Sequence, residues 1–393
     1  MGRPITSADM RSAVVLSAEL RAKEVEVAAL FGGGSFVLGL ADGTSMRTNG
    51  DGLNGTYDWT YFDAIIDPLV ARGMSCMLTI GTDFPRWEDM VSDLGVASWA
   101  EVNRPPTAAW PYWVADANAA VARLKSKYIA GGLNPFTKCC IQMAREVCKG
   151  GAGGPYNASG LGNYSAPYAA LASGTWERAA DLASDSTRNV HSQLLYMAQN
   201  INTLGIPLVS PSMETQPGDF TQELATVVNG DWLSAPDWWA MDHYITLTLA
   251  QSQTIKKAAT AFYDSIMTTR AAIVAAVTAW ASKPCVLAEF GGSNTQFRIG
   301  SGYHPQHGHA RRGEILARVY ERLTSHGGFQ WINFYATRER SVVSDASIFG
   351  LLDSAGNYLY AHRPFNRMAG SGDSAVPSGG YTAGTNEAGG VLT

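Results

Sequence analysis

A single-domain (β/α)8 barrel, the TIM-barrel class of α/β fold, is what this sequence predicts, on three observations. Short apolar, strand-like runs alternate with longer segments of helical period, the rhythm of a parallel sheet built from βα units. Several of those runs close on a polar residue, at the end where such barrels carry their chemistry. The length of 393 residues is large for one ordinary core, yet barrels with long loops range from about 200 to over 400 residues as one unit.

The elements follow in order. The first strand is the least defined: residues 13–17 are a weak candidate, equally readable as helix, and either 25–30 or 35–39 can serve as the second strand. Asp58 can cap a helix whose apolar positions include Phe62, Ile65, Ile66, Leu69 and Val70, and Gly73 ends it. A buried third strand follows at 75–80, then a loop running from Thr82 to Trp87. A helix around 113–128 feeds the fourth strand, 138–145, and the helical stretch 175–203 feeds the fifth, 207–210. The sixth strand is 238–243. A helix at 253–281 leads to the seventh, 284–289, and one at 309–325 leads to the eighth, Phe329 to Tyr335. After Pro364 the composition shifts to Gly, Ser, Ala and Thr. The barrel is therefore expected over 1–368, with 369–393 a flexible extension or assembly arm.

Composition narrows the function. Apolar residues make up 46% and charged ones 16%, enough for a large core and unlike a disordered chain. The net charge of −5, without a run of Lys or Arg, argues against nucleic acid as a partner. No stretch approaches the roughly 20 apolar residues of a membrane span. Met1-Gly2-Arg3-Pro4 does not lead into an apolar signal core, so either export does not use that route or a leader is missing. The cysteines number five: Cys76, Cys139, Cys140, Cys148 and Cys285. Their odd count and apolar settings predict buried reduced thiols. A metal site on Cys139, Cys140 and Cys148 is disfavoured because adjacent strand residues point to opposite faces. His304, His307 and His309 are read as part of a solvated loop over the site more readily than as metal ligands. No metal and no cofactor are expected.

Two glutamates carry the chemistry: Glu146 closes the fourth strand and Glu289 the seventh, each before a Gly-rich loop. Strand ends three apart around a barrel mouth can face one another. Two carboxyl groups about 5–5.5 Å apart are what double displacement at a glycosidic bond requires. One stays protonated to protect the departing oxygen, and the other stays ionised to attack the anomeric carbon. Glu214, after the fifth strand, is the competing carboxylate and a candidate substrate contact.

The succession of motifs resembles the clan A retaining glycoside hydrolases, most closely their family 39-like and family 5-like members. Gly55-Thr56-Tyr57-Asp58-Trp59, then Ala71-Arg72-Gly73-Met74, a strand and Pro85-Arg86-Trp87 look like their stretch from second helix to third strand. Ala288-Glu289-Phe290-Gly291 looks like their nucleophile strand, and Phe349-Gly350-Leu351-Leu352-Asp353 like their closing segment. The resemblance spans roughly 50–366. It implies a retaining β-glycosidase acting on an oligo- or polysaccharide, with Glu289 as nucleophile and Glu146 as acid/base. It also implies that His243 and Tyr244 lie beside the nucleophile, that Trp331 or Tyr335 floors the sugar site, and that Asp83 and Trp87 line the entrance. Among the remaining tryptophans, Trp99, Trp110, Trp113, Trp232 and Trp238 include candidate carbohydrate platforms, although most tryptophans in such a barrel pack helices against strands.

One departure stands out. Where the family has Asn before the acid/base, this chain has Arg145, and Val147 replaces the usual Pro. A permanent cation beside Glu146 would lower its pKa, opposite to what a general acid needs. Arg145 then either turns toward an acidic sugar or alters turnover. The rivals to the enzyme are thus a barrel that binds carbohydrate without turnover, or a polysaccharide-recognising or -degrading component of a larger assembly such as a viral particle.

Overall fold

The computed structural model describes residue 25 and the segments 35–39, 56–80, 110–144, 190–214, 231–293, 296–297, 305–326 and 328–334. Within them seven strands form one sheet in chain order: β1 (Ser35–Gly39), β2 (Ser75–Thr79), β3 (Cys139–Gln142), β4 (Leu208–Glu214), β5 (Trp238–Tyr244), β6 (Cys285–Gly291) and β7 (Trp331–Phe334). Every neighbouring pair is parallel. A sheet in which each strand lies beside its predecessor is what repeated βα crossovers of one hand produce. Cα atoms of the edge strands β1 and β7 come within 8 Å of one another, so the sheet curls round toward closure.

β2 to β7 fall on the runs read as the third to eighth strands, with β4 longer than expected. For the strand before β2, register decides between the two candidates: Ser35 to Gly39 pair residue by residue with Ser75 to Thr79, whereas Val25 is helical and buried. Residues 13–17 and 369–393 lie outside the described residues.

The helices are α1 (Thr60–Ala71), α2 (Trp110–Ala130), the single turn α3 (Pro135–Lys138), α4 (Val190–Asn200), α5 (Ile255–Ala276) and α6 (Pro305–His326). In α1 the Asp58 carboxylate accepts from the Thr60 amide at 2.9 Å, a bond that holds its pKa below the ordinary value. The helix buries Phe62, Ile65, Ile66 and Leu69, an i, i+3, i+4, i+7 stripe, and stops where Gly73 takes φ +64°. In α5 the Thr254 hydroxyl caps the Lys257 amide at 3.1 Å. The reading of 303–309 as a loop needs correction. A proline has the backbone angle of a first helical turn, and α6 starts at Pro305, so His307 and His309 are helical; His304 is outside the described residues.

Two cores result. The larger fills the space between sheet and helices. The smaller, comprising Met77, Cys140, Val209, Ala240, Val286 and Ala288, lies on the opposite face of the strands, inside the curl, with Trp238 and Trp331 against it. Cys139 belongs to the first and Cys140 to the second, as alternation along a strand requires. Cys76, Cys139, Cys140 and Cys285 are free and buried. Burial pushes the Cys76 thiol up to about 12 and raises the other three as well.

Trp113 and Trp232 are buried in the larger core, where they can offer no open platform to a sugar. Trp239 stacks on Trp280 at 5.8 Å between ring centroids, with Trp232 6.1 Å from Trp280 on another side. The indole N–H of Trp280 donates to the Leu233 carbonyl at 3.0 Å. Trp280→Ala would remove the centre of this cluster, and denaturant unfolding should show a loss of about 3–5 kcal/mol. A loss below about 1 kcal/mol would mean the cluster collapses to fill the space.

Candidate active site at the carboxyl ends of the strands

Above the apolar inner core the inward face turns polar. Thr79 on β2 donates to the Gln142 side-chain carbonyl on β3 at 2.7 Å, and both are buried. On β4 the chain carries one residue more between Val209 and Ser212 than β5 carries between Trp238 and Ala240, a β-bulge. The Ser210 hydroxyl accepts from the Ala240 amide at 3.0 Å and donates to the Pro211 carbonyl at 2.8 Å, replacing ladder bonds the bulge disrupts. Beyond it, Ser212 lies opposite Ala240 and donates to Asp242 at 2.6 Å.

A second bulge sets Glu289. On β6 two steps lead from Leu287 through Ala288 to Glu289, opposite the single step from Met241 to Asp242 on β5. The extra residue puts Ala288 and Glu289 both toward the interior, where strict alternation would send Glu289 out among the helices. Glu289 is 5% exposed, in register with Asp242. The Tyr244 hydroxyl donates to Glu289 Oε2 at 2.5 Å.

His243 and Tyr244, both expected beside Glu289, therefore separate. Tyr244 reaches it, while His243 points to the helix side, its Nε2 3.0 Å from the Ser265 hydroxyl and its ring stacked on Phe262 at 5.8 Å. Burial pulls the His243 pKa down to about 3 from 6.5. The unfolded chain then binds more protons between those values, so the stability contributed by neutral His243 is complete above pH 6.5 and lost as pH falls toward 3. The slope it contributes is at most about 1.4 kcal/mol per pH unit. His243→Gln should flatten stability against pH in that window, as read by denaturant midpoints; parallel curves would place the acid sensitivity elsewhere.

Trp331 also differs from expectation. It opens β7 in register with Val286 and meets Trp238 edge-on at 6.2 Å, beside the apolar inner core. That is the amino end of the strands, the opposite end from Glu289, so Trp331 floors the barrel rather than the sugar site. Asn333, buried and two residues further on, reaches the level of Glu289 because Phe334 pairs with Phe290. Asp242, Ser212, Gln142 and Asn333 were not anticipated as site residues. The signal for Asp242 was present as an acidic residue inside an otherwise apolar run.

Glu214 ends β4 in register with Asp242. Asp83, Trp87, Arg145, Glu146, Tyr335, Cys148 and Trp99 lie outside the described residues. The described chain beyond β3 ends at Ala144, whose carbonyl accepts from the Ser212 amide at 3.2 Å, two residues before Glu146. Among the described residues no group of three His, Cys, Asp or Glu side chains is arranged to hold a metal ion, and no helix is long and apolar enough to cross a membrane.

No family model matches the sequence, and no curated protein matches it either. Solved structures do match in shape. A family 39 β-xylosidase from Caulobacter crescentus shares 14% identity over 94% of this chain and 70% of its own, with a TM-score of 0.50. A family 5, subfamily 18 glycoside hydrolase from Bifidobacterium longum subsp. longum shares 11% over 96% of this chain and 80% of its own, with a TM-score of 0.53. One from Streptomyces cattleya, solved with GlcNAc, shares 12% over 92% and 77%, at 0.52. At these identities the likeness is one of fold. The described strands form a curled parallel α/β sheet, and its structural neighbours are barrel glycoside hydrolases of families 39 and 5.

Proposed function

We propose that this protein is a retaining glycoside hydrolase that cleaves β-glycosidic bonds of an oligo- or polysaccharide, with Glu289 as nucleophile and Glu146 as acid/base. The observation that carries this reading is Glu289 itself: a carboxylate at the carboxyl end of β6, turned inward by a bulge and gripped by the Tyr244 hydroxyl. A fold shared with β-glycosidases supports it.

In the first step a Glu289 oxygen bonds to the anomeric carbon as the bond to the leaving oxygen breaks, and Glu146 gives that oxygen its proton. In the second, Glu146 takes a proton from water, whose oxygen displaces Glu289 and frees the sugar. Tyr244 holds the carboxylate through Oε2 and so fixes the direction of attack. Asp83, Trp87, Arg145, Glu214 and Tyr335 are the proposed substrate contacts, and no cofactor is required.

Intact-protein mass spectrometry with a panel of 2-deoxy-2-fluoro glycosides tests this reading, since such sugars arrest a retaining enzyme as the glycosyl ester. The expected result is a mass increase mapping to the peptide that holds Glu289. Glycan binding with no label across the panel would instead favour the barrel that binds without turnover, the reading Arg145 suggests.

A further inference from the structure

Among the described strands, β5 is the one whose two neighbours each carry an extra residue beside it, and both bulges deliver a polar group to its inward face. The bulge in β4 brings Ser212 within 2.6 Å of Asp242; the bulge in β6 brings Glu289 into register with the same residue. Asp242 is fully buried. Burying a carboxylate is costly unless it is well bonded, and a residue serving only to pack would not be acidic here.

The two carboxylates have separate donors. Ser212 serves Asp242 at 2.6 Å and Tyr244 serves Glu289 at 2.5 Å. Both are short, well-formed hydroxyl-to-carboxyl hydrogen bonds. Neighbouring strands lie about 4.8 Å apart, so the two groups sit side by side.

We propose that Asp242 is a positioning residue for the reaction at Glu289: an ionised carboxylate, held by Ser212, that sets a second fixed negative charge beside the nucleophile and favours the cationic, oxocarbenium-like transition state over the bound substrate. Fixed charge aimed at where charge develops acts strongly in a site closed to water, because the protein dielectric screens it weakly. The inference rests on the hydrolase reading above and adds to it a residue outside the two-glutamate scheme.

The test uses the full chain and the sugar configuration that labels Glu289 in the fluoro-glycoside panel. Calorimetry would compare a protonated imino sugar of that configuration with its uncharged ring-oxygen counterpart, in wild type, in Asp242→Asn and in Ser212→Ala. Asn keeps the shape and can still accept the Ser212 hydroxyl. In Asp242→Asn the preference for the cation should fall roughly 10- to 100-fold, with kcat falling in parallel and KM unchanged; Ser212→Ala should shift both in the same direction by less. An unchanged preference in Asp242→Asn would overturn the role of Asp242 while leaving the hydrolase reading intact. Should Asp242→Asn fail to fold, an unchanged preference in Ser212→Ala would do the same. Absence of any label in wild type would overturn the hydrolase reading and this inference with it.

Discussion

Glu289→Gln should fold as wild type does and lose about 10⁴-fold or more in kcat on aryl β-glycosides, since an amide oxygen cannot form the glycosyl ester. The substitution conserves volume, and the amide carbonyl can still accept the Tyr244 hydroxyl, so the melting temperature should move little. A folded Glu289→Gln protein that turned over substrate at near wild-type rate would exclude this residue as nucleophile. Glu289→Gly offers a positive control: azide entering the space left by the side chain should restore product release as a glycosyl azide of the opposite anomeric configuration, identifiable by NMR.

Tyr244→Phe should be the next most damaging change, lowering kcat by about 10²-fold. Its ring keeps the packing, but Glu289 Oε2 loses the hydroxyl that now lies 2.5 Å away. A carboxylate held by one fewer donor can rotate, and attack on the anomeric carbon tolerates little misalignment. Because the bond orients the nucleophile rather than gripping the sugar, KM should stay close to wild type. A variant with kcat unchanged and KM raised would instead make Tyr244 a substrate contact.

How much of this was legible in the sequence depends on what each residue's position rests on. Strands such as Cys285–Gly291 and Trp238–Tyr244 are buried on both faces because helices cover one side and the inside of the curled sheet the other, and that leaves a nearly continuous hydrophobic run that can be read directly. The helix after Asp58 was legible for the same reason, its stripe of Phe62, Ile65, Ile66 and Leu69 being set by period alone. The facing of side chains near the strand ends was less so. His243 stands next to Tyr244 and looked equally placed for the site, but adjacent residues take opposite faces, so only one of the pair can reach Glu289. Trp331 shares a face with Tyr335 by the period of two in the sequence, yet Trp331 opens β7 and meets Trp238 at the amino end of the strands, away from Glu289. The bulges in β4 and β6 left no compositional trace, because an extra residue is visible only against the strand beside it. Asp242 is visible in the sequence as an acidic residue in an apolar run, but its importance comes from what the neighbouring strands bring to it.

The bulge at Ala288 has a consequence for how such a site can change in length. Deleting that single alanine would bring β6 to the residue count of β5, and plain alternation would then run Leu287 out, Glu289 in and Phe290 out, so the carboxylate would still face Asp242. Keeping the alanine while pairing β6 with β5 one to one would instead turn the carboxylate toward the helices and Phe290 toward the interior. The irregularity is thus what lets β6 carry one residue more than its neighbour without turning the nucleophile away.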